Sequence, residues 1–411
     1  MLLQLLLQFC LLLFVTATPI QRSSASTDLI TYVLPIWEGS LASHDQTADL
    51  SVLSTMKSLL GLGGDYTVLG WSFSSWALSR DILGSDSNYT FDPTNLNYQL
   101  GLAVTSNLPI LVHMNNGGWA DCCTPNSDGG WSDILLDYIV DQPNTVAMDN
   151  TGASLFAHDG GHNHFTLSRL NDVYRSYKKR NVQAAAEVLA NWAALNPSLF
   201  AGVSLDSETV IPQNQADYNP YFIQEWKEWL QNTGIYGPGG DYFGQGRVPA
   251  YTSIDGFNSD TGQNFASWDA MQPPSQITPG DLLSEAWEQW RVTVVIHSVS
   301  DETEWIATAG IDRKLIYGHQ TSREDDYGFA DDVQTETAAN GAGGVTYYGW
   351  IPANFGELDN SMRAAGKNNW GTFEVNPMSS DPTTAYDTFV TLFNDGIKVR
   401  GILNNIPGTS S

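Results

Sequence analysis

Short apolar runs of strand length recur along the chain, and stretches with helical spacing separate them. Residues 32–37 (YVLPIW), 67–73 (TVLGWSF), 108–114 (LPILVHM) and 201–208 (AGVSLDSE) are rich in β-branched and aromatic residues and are bounded by turn formers. Residues 314–320 (KLIYGHQ), 343–350 (GGVTYYGW), 370–374 (WGTFE) and 397–403 (IKVRGIL) add four more. Between them, 169–196 has apolar positions at helical spacing and Pro197 just past its end. Residues 221–231 follow Asn219-Pro220, a helix-starting pair. Residues 282–309 form a long helical stretch with room for one break, and 331–340, 357–365 and 382–394 read as shorter helices. Strands alternating with helices imply a parallel sheet wound with helices. Eight strands is the number that closes a (β/α)₈ TIM barrel.

The elements are unevenly connected. Long insertions near 115–168 and 233–280 fall after strands three and four, where βα-loops stand over the C-terminal face of a barrel. No repeat or long low-complexity linker divides the chain, so residues 30–405 read as one barrel domain. Residues 1–17 (MLLQLLLQFCLLLFVTA) read as a secretory signal peptide, without the usual positive start and ending near Ala17. The apolar run, interrupted by Gln4 and Gln8, is short for a membrane anchor. Residues 18–29 are a polar lead-in. The expected location is extracellular, and the sequon Asn88-Tyr89-Thr90 fits a secreted loop.

Charge narrows the partners. With 18 basic and 45 acidic residues the net charge is −27, which repels nucleic acid and anionic membranes. The 14 Trp, 17 Tyr and 16 Phe, set among Asn, Asp and Gly, suit a carbohydrate: flat faces stack on sugar rings and polar groups reach the edges. Oligomeric state is not legible. Cys10 leaves with the signal, and the remaining Cys122 and Cys123 are adjacent in a Gly- and Trp-rich loop. They form either a vicinal disulfide stiffening a cleft wall or a pair of inert thiols.

Two carboxylates carry the chemistry. Glu208 closes AGVSLDSE and Glu374 closes NWGTFE, so each ends an apolar strand. By the strand count these are strands four and seven. A carboxylate at a strand end packs poorly and is well placed for catalysis. The motif GVSLDSE, followed by DYNPYFIQEWKEWL, resembles the clan of retaining (β/α)₈ glycoside hydrolases, and within it the β-galactosidase-like, family-42-type branch. The resemblance spans roughly residues 30 to 405. It implies Glu208 as acid/base and Glu374 as nucleophile of a double displacement on a β-linked glycan or glycoside. The clan commonly carries Asn just before the acid/base; here that position is Ser207. The chemistry has two geometries: carboxyls ~5–5.5 Å apart retain anomeric configuration, while ~6.5–9.5 Å admits a water and inverts it.

Other strand ends supply candidate substrate contacts: Trp37 and Glu38 on strand one, Trp71 on strand two, and His113, Asn115 and Asn116 on strand three. Asp206 shares the side of Glu208, His319 follows strand five, and Tyr348 and Trp350 end strand six. In the resembled clan a strand-six Tyr orients the nucleophile, which points to Tyr347 or Tyr348. His158-Asp159-Gly160-Gly161-His162-Asn163-His164 lacks the helical HExxH spacing, and its glycines predict a mobile, hydroxyl-binding loop rather than a metal site. No GxGxxG, P-loop or GxSxG is present, so no cofactor is expected. Two alternatives stand beside the hydrolase: a carbohydrate-binding barrel without catalysis, and a metal-dependent hydrolase using the His158–His164 loop.

Overall fold

A computed structural model describes residues 31–34, 45–64, 67–76, 90–115, 143–159, 162–165, 167–205, 217–236, 251–318, 320–321, 343–346, 370–373 and 399–402. The strands are Thr31–Val33 (one), Thr67–Leu69 with Trp71–Trp76 (two), Ile110–Asn115 (three) and Phe200–Ser204 (four). Ile316–Tyr317 with Gln320–Thr321 (five), Gly343–Thr346 (six), Trp370–Phe373 (seven) and Val399–Ile402 (eight) follow. Strands two and five each appear as two segments, because each changes partner along its length. Thr67–Leu69 pairs with strand one and Trp71–Trp76 with strand three. Ile316–Tyr317 pairs with strand four and Gln320–Thr321 with strand six. Strands six, seven and eight pair in order, and strand eight returns to strand one. All these pairs are parallel, so the eight strands close a (β/α)₈ barrel.

Gly70 is the point at which strand two changes partner. Its N–H donates to Val33 O at 2.9 Å, and the next N–H, of Trp71, donates to Pro109 O at 2.9 Å. A Cβ on Gly70 would lie 2.4 Å from Pro109 O, so only glycine lets the two neighbouring strands approach this closely.

Six helices are described: α1 Gln46–Leu60, α2 Thr94–Ser106, α3 Asp172–Leu195, α4 Pro220–Leu230, α5 Ile254–Thr261 and α6 Leu282–Thr308. Side-chain caps set most of their starts. Asp45 accepts from the backbone N–H groups of Thr47 and Ala48, Asn171 from Val173 and Tyr174, and Asn219 from Tyr221, with Pro220 in the first turn of α4. Asp281 caps α6 through Ser284 N. Each cap satisfies amides that the first helical turn leaves without partners.

The core has three parts. Outward-facing strand residues Trp71, Phe73, Ile110, Val112, Met114 and Val203 pack against Leu53 of α1, Leu96 and Leu100 of α2, and Val182 and Leu189 of α3. Inside the barrel, Leu34, Leu111, Ala201 and Tyr317 form a small cluster. These come from strands one, three, four and five, and strand one meets the others only across the interior. The third cluster is aromatic: Phe222, Trp226, Trp229, Phe257, Trp287 and Trp290 join α4, α5 and the first half of α6. The Trp226 and Trp287 rings meet edge-on at 4.8 Å, a favourable geometry for aromatic pairs.

Helix α6 therefore lies between two cores and is buried on every side along most of its 27 residues. Its buried charged groups are paired. Glu288 and Arg291 form a buried bridge at 2.6 Å, and Lys178 of α3 reaches Glu302 at 3.7 Å. Arg175 of α3 holds Asp301, which also accepts from Tyr236 Oη at 3.2 Å. None of the described helices is long and apolar enough to cross a membrane.

Several expectations change. Helix α6 runs without the break that the pattern allowed. Helices α1 and α2 are additions to those that periodicity predicts, and α5 lies within the insertion 233–280. The segment expected to be a mobile loop is instead an antiparallel ribbon, Phe156–Asp159 against His162–Phe165, because Gly160-Gly161 leaves just two residues to join paired strands. The expected helices at 331–340, 357–365 and 382–394 lie outside the described residues.

Candidate functional site

Side-chain parity on strand four is set by an irregularity. Ile110 pairs with Phe200, but Leu111 pairs with Gly202, so strand four carries one extra residue. Phe200 packs on the outer layer and Ala201 faces the interior. After the bulge Val203 and Leu205 are outward, and Ser204 is turned inward. Gly202 has φ 143, a conformation that favours glycine, and a Cβ there would lie 2.6 Å from the Tyr317 ring. A bulge of this kind re-aims the residues that follow it, and such bulges are common beside active sites.

His113, Ser204 and Tyr317 are register partners across strands three, four and five, and Tyr317 ties this inward row to the interior cluster. A short hydrogen bond joins Ser204 Oγ to His113 Nδ1, fixing the imidazole plane. His113 and Tyr317 are buried, so this row forms the floor beneath the C-terminal rim. The sequence names His113 but not Ser204 or Tyr317. Alternation on strand five marks Tyr317, whereas Ser204 becomes visible only once the bulge is known.

Above the floor, the loops after strands three and four are fastened together. Asn171, the cap of α3, donates its amide to Asn144 O at 3.0 Å; Asn219, the cap of α4, donates to Asn144 O and Val146 O, both at 2.9 Å. Asn144 adopts a left-handed backbone (φ 59), which asparagine tolerates. Tyr218 N donates to Met148 O at 2.7 Å, and Tyr218 Oη to Pro274 O at 2.7 Å. Segment 143–148 thus straps two helix starts at the rim. Asn171→Ala removes one cap and one strap contact at once. We expect a loss of about 1–2 kcal/mol in urea unfolding, at the upper end of the range for cap removal.

Asp217 sits inside this clamp, fully buried. Its Oδ1 accepts from Met148 N at 3.1 Å and Asn219 N at 2.9 Å. Among the described residues its Oδ2 and the neighbouring Ser168 hydroxyl are buried without a hydrogen bond of good geometry. Burial pushes the carboxyl up to about 6, against the opposing pull of Ser168, the two backbone N–H groups and Arg169.

The predicted site residues separate as follows. Trp71 is a correction: it is 1% exposed in the layer between strands and helices and touches Phe73, so strand alternation turns it away from the interior. His113 lies in the interior row, and Asn115 ends strand three two residues further on. Glu208 is four residues beyond Ser204, and Glu374 is the residue after Phe373, the last of strand seven. Glu208, Glu374, Trp37, Glu38, Asn116, Asp206, His319, Tyr348 and Trp350 lie outside the described residues, as do Cys122 and Cys123. Among the described residues no group of three His, Cys, Asp or Glu side chains could hold a metal ion.

No family model and no curated protein sequence matches the chain. Solved structures do. The crystal structure of the catalytic domain of a beta-amylase from Paenibacillus polymyxa aligns with a TM-score of 0.62 over 92% of this chain and 93% of that one, at 10% identity. An agarase aligns at TM-score 0.42 over 74% of this chain and 40% of its own, at 10% identity. An exo-beta-agarase aligns at 0.43 over 78% and 42%, at 11% identity. At such identities the likeness shows the fold, and the near-complete mutual coverage with the first agrees with the closed barrel described above.

Proposed function

We propose that this chain is a secreted glycoside hydrolase of β-linked glycans or glycosides, with Glu208 as acid/base and Glu374 as nucleophile. The observation that carries the reading is the strand order. Strands four and seven of a closed parallel barrel run towards one rim, and the chain reaches a glutamate four residues after one and directly after the other. Barrel enzymes hold their active sites at that rim. The likeness of the whole chain to a beta-amylase catalytic domain supports a carbohydrate substrate.

In this mechanism Glu208 protonates the leaving oxygen while Glu374 attacks the anomeric carbon. Water then cleaves the glycosyl-enzyme with Glu208 acting as base. A proton stays on Glu208 at working pH if burial and the neighbouring charge of Glu374 raise its affinity. His113, held by Ser204, contributes a polar floor, and Asn115 stands one step nearer the rim. Proton NMR of the first turnovers on an aryl β-glycoside tests the mechanism. Retention gives the β-anomer before mutarotation. If the α-anomer came first, a water between more widely spaced carboxyls would be the nucleophile, and Glu374 would become a general base.

A further inference from the structure

One buried acid is left unused by this mechanism. Asp217 lies on the loop between strand four and α4, nine residues after Glu208, and its partners lie on the loop between strand three and α3. Among the described residues one of its carboxyl oxygens has no hydrogen-bond partner. Its Oδ1 receives two amides, one from each loop, so the same oxygen joins the strap 143–148 to the start of α4. The charged group facing it from the strap side is Arg169; from α6, Glu288 reaches neighbouring Tyr218 but is bridged to Arg291. An ionised Asp217 is a charge taken out of water, and this burial outweighs the help of Ser168, two backbone N–H groups and Arg169. A protonated one carries no charge, and its new O–H stands beside the Ser168 hydroxyl, itself without a hydrogen bond of good geometry among the described residues.

We propose that Asp217 is a positioning residue acting as a proton-operated latch, which fastens the strap to the start of α4 in acid and loosens it towards neutral pH. The link to Glu208 rests on the function proposed above; the latch itself does not. The sign follows from linkage. The folded state holds the proton from the ordinary carboxyl range of 3.8 up to about 6, and the unfolded chain does not. The contribution of this group to stability is therefore greatest below pH 4 and is lost as pH rises through 6. A difference of roughly two pH units corresponds to a roughly 100-fold change in the folding equilibrium from this group.

Asp217→Asn is the test. Its amide oxygen can accept both N–H donors, and it carries no charge at any pH. Thermal unfolding and hydrogen exchange, corrected for intrinsic rates, are measured at pH 4.5 and 7 in the wild type and the variant. In the wild type, protection of 143–148 and 217–219 falls at pH 7. In the variant it stays constant, and the unfolding temperature at pH 7 exceeds that of the wild type by several degrees. Asn171→Ala is the control: it weakens the same strap and leaves the pH dependence intact. Unchanged wild-type protection between the two pH values, or an equal pH dependence in Asp217→Asn, overturns the latch. If glycosidase activity is found, the alkaline limb of its pH profile moves upward in Asp217→Asn. A protein without that activity sinks the proposed function and leaves the latch to be judged on protection alone.

Discussion

Glu374→Gln should lower kcat/KM on an aryl β-glycoside by about 10⁴-fold or more, and Glu208→Gln by about 10²–10⁴-fold. The two losses differ in kind. Without the nucleophile no glycosyl-enzyme forms, whatever the leaving group. Without the acid/base the first step suffers in proportion to how much the departing oxygen needs a proton. A nitrophenolate leaves nearly unaided, an alkoxide does not. Glu208→Gln should therefore lose least on activated aryl substrates and most on natural glycosides, while Glu374→Gln should fail on both. A loss of 10³-fold corresponds to about 4 kcal/mol of transition-state stabilisation, far more than one substrate contact supplies. Circular dichroism separates this from misfolding. Wild-type turnover in either folded variant removes that residue from its role.

The second large effect is expected at Gly202. Replacing it with Ala adds a Cβ 2.6 Å from the Tyr317 ring and 2.7 Å from Leu315 O, at a φ of 143 that side chains rarely adopt. The carbonyl belongs to the turn leading into strand five and cannot yield as a flexible side chain would. Backbone strain costs ~1–3 kcal/mol, and overpacking a tight core ~1–3 kcal/mol. We expect about 3–5 kcal/mol of destabilisation in urea. If the chain escapes by straightening strand four, Ser204 turns outward and loses His113. Activity would then vanish even where the fold survives. A variant with wild-type stability and activity would show that the bulge has no such role.

The strand count was readable because each barrel strand is a short apolar run between turn formers, and all eight appear near their expected positions. Strand four begins at Phe200, one residue before its predicted start, since Pro197–Leu199 forms a tight turn rather than extended chain. Helix α3 was legible from its apolar spacing and Pro197. Helix α1 was not: its ends are set by Asp45 and by Gly61 (φ 72), and its exposed face carries Val52, which blurs the pattern. The failure at Trp71 has a plain cause. Aromatic residues near a rim look alike in sequence whether they face sugar or core, and only the strand's partners assign the face. Asp217 was hidden for a related reason, because a buried acid and a solvated one are the same letter. Its partner Met148 and its neighbour Ser168 are 69 and 49 positions away along the chain.

Helix α6 has no watery side, and this limits how the protein can be cut down. The excursion bearing α4 and α5 resembles an ornament that a designer would replace with a tight turn. Doing so would strip Trp287 and Trp290 of Phe222, Trp226 and Trp229, exposing a greasy stripe on the helix beside the barrel wall. Such a miniature would clump unless those tryptophans were repainted with polar residues at the same time.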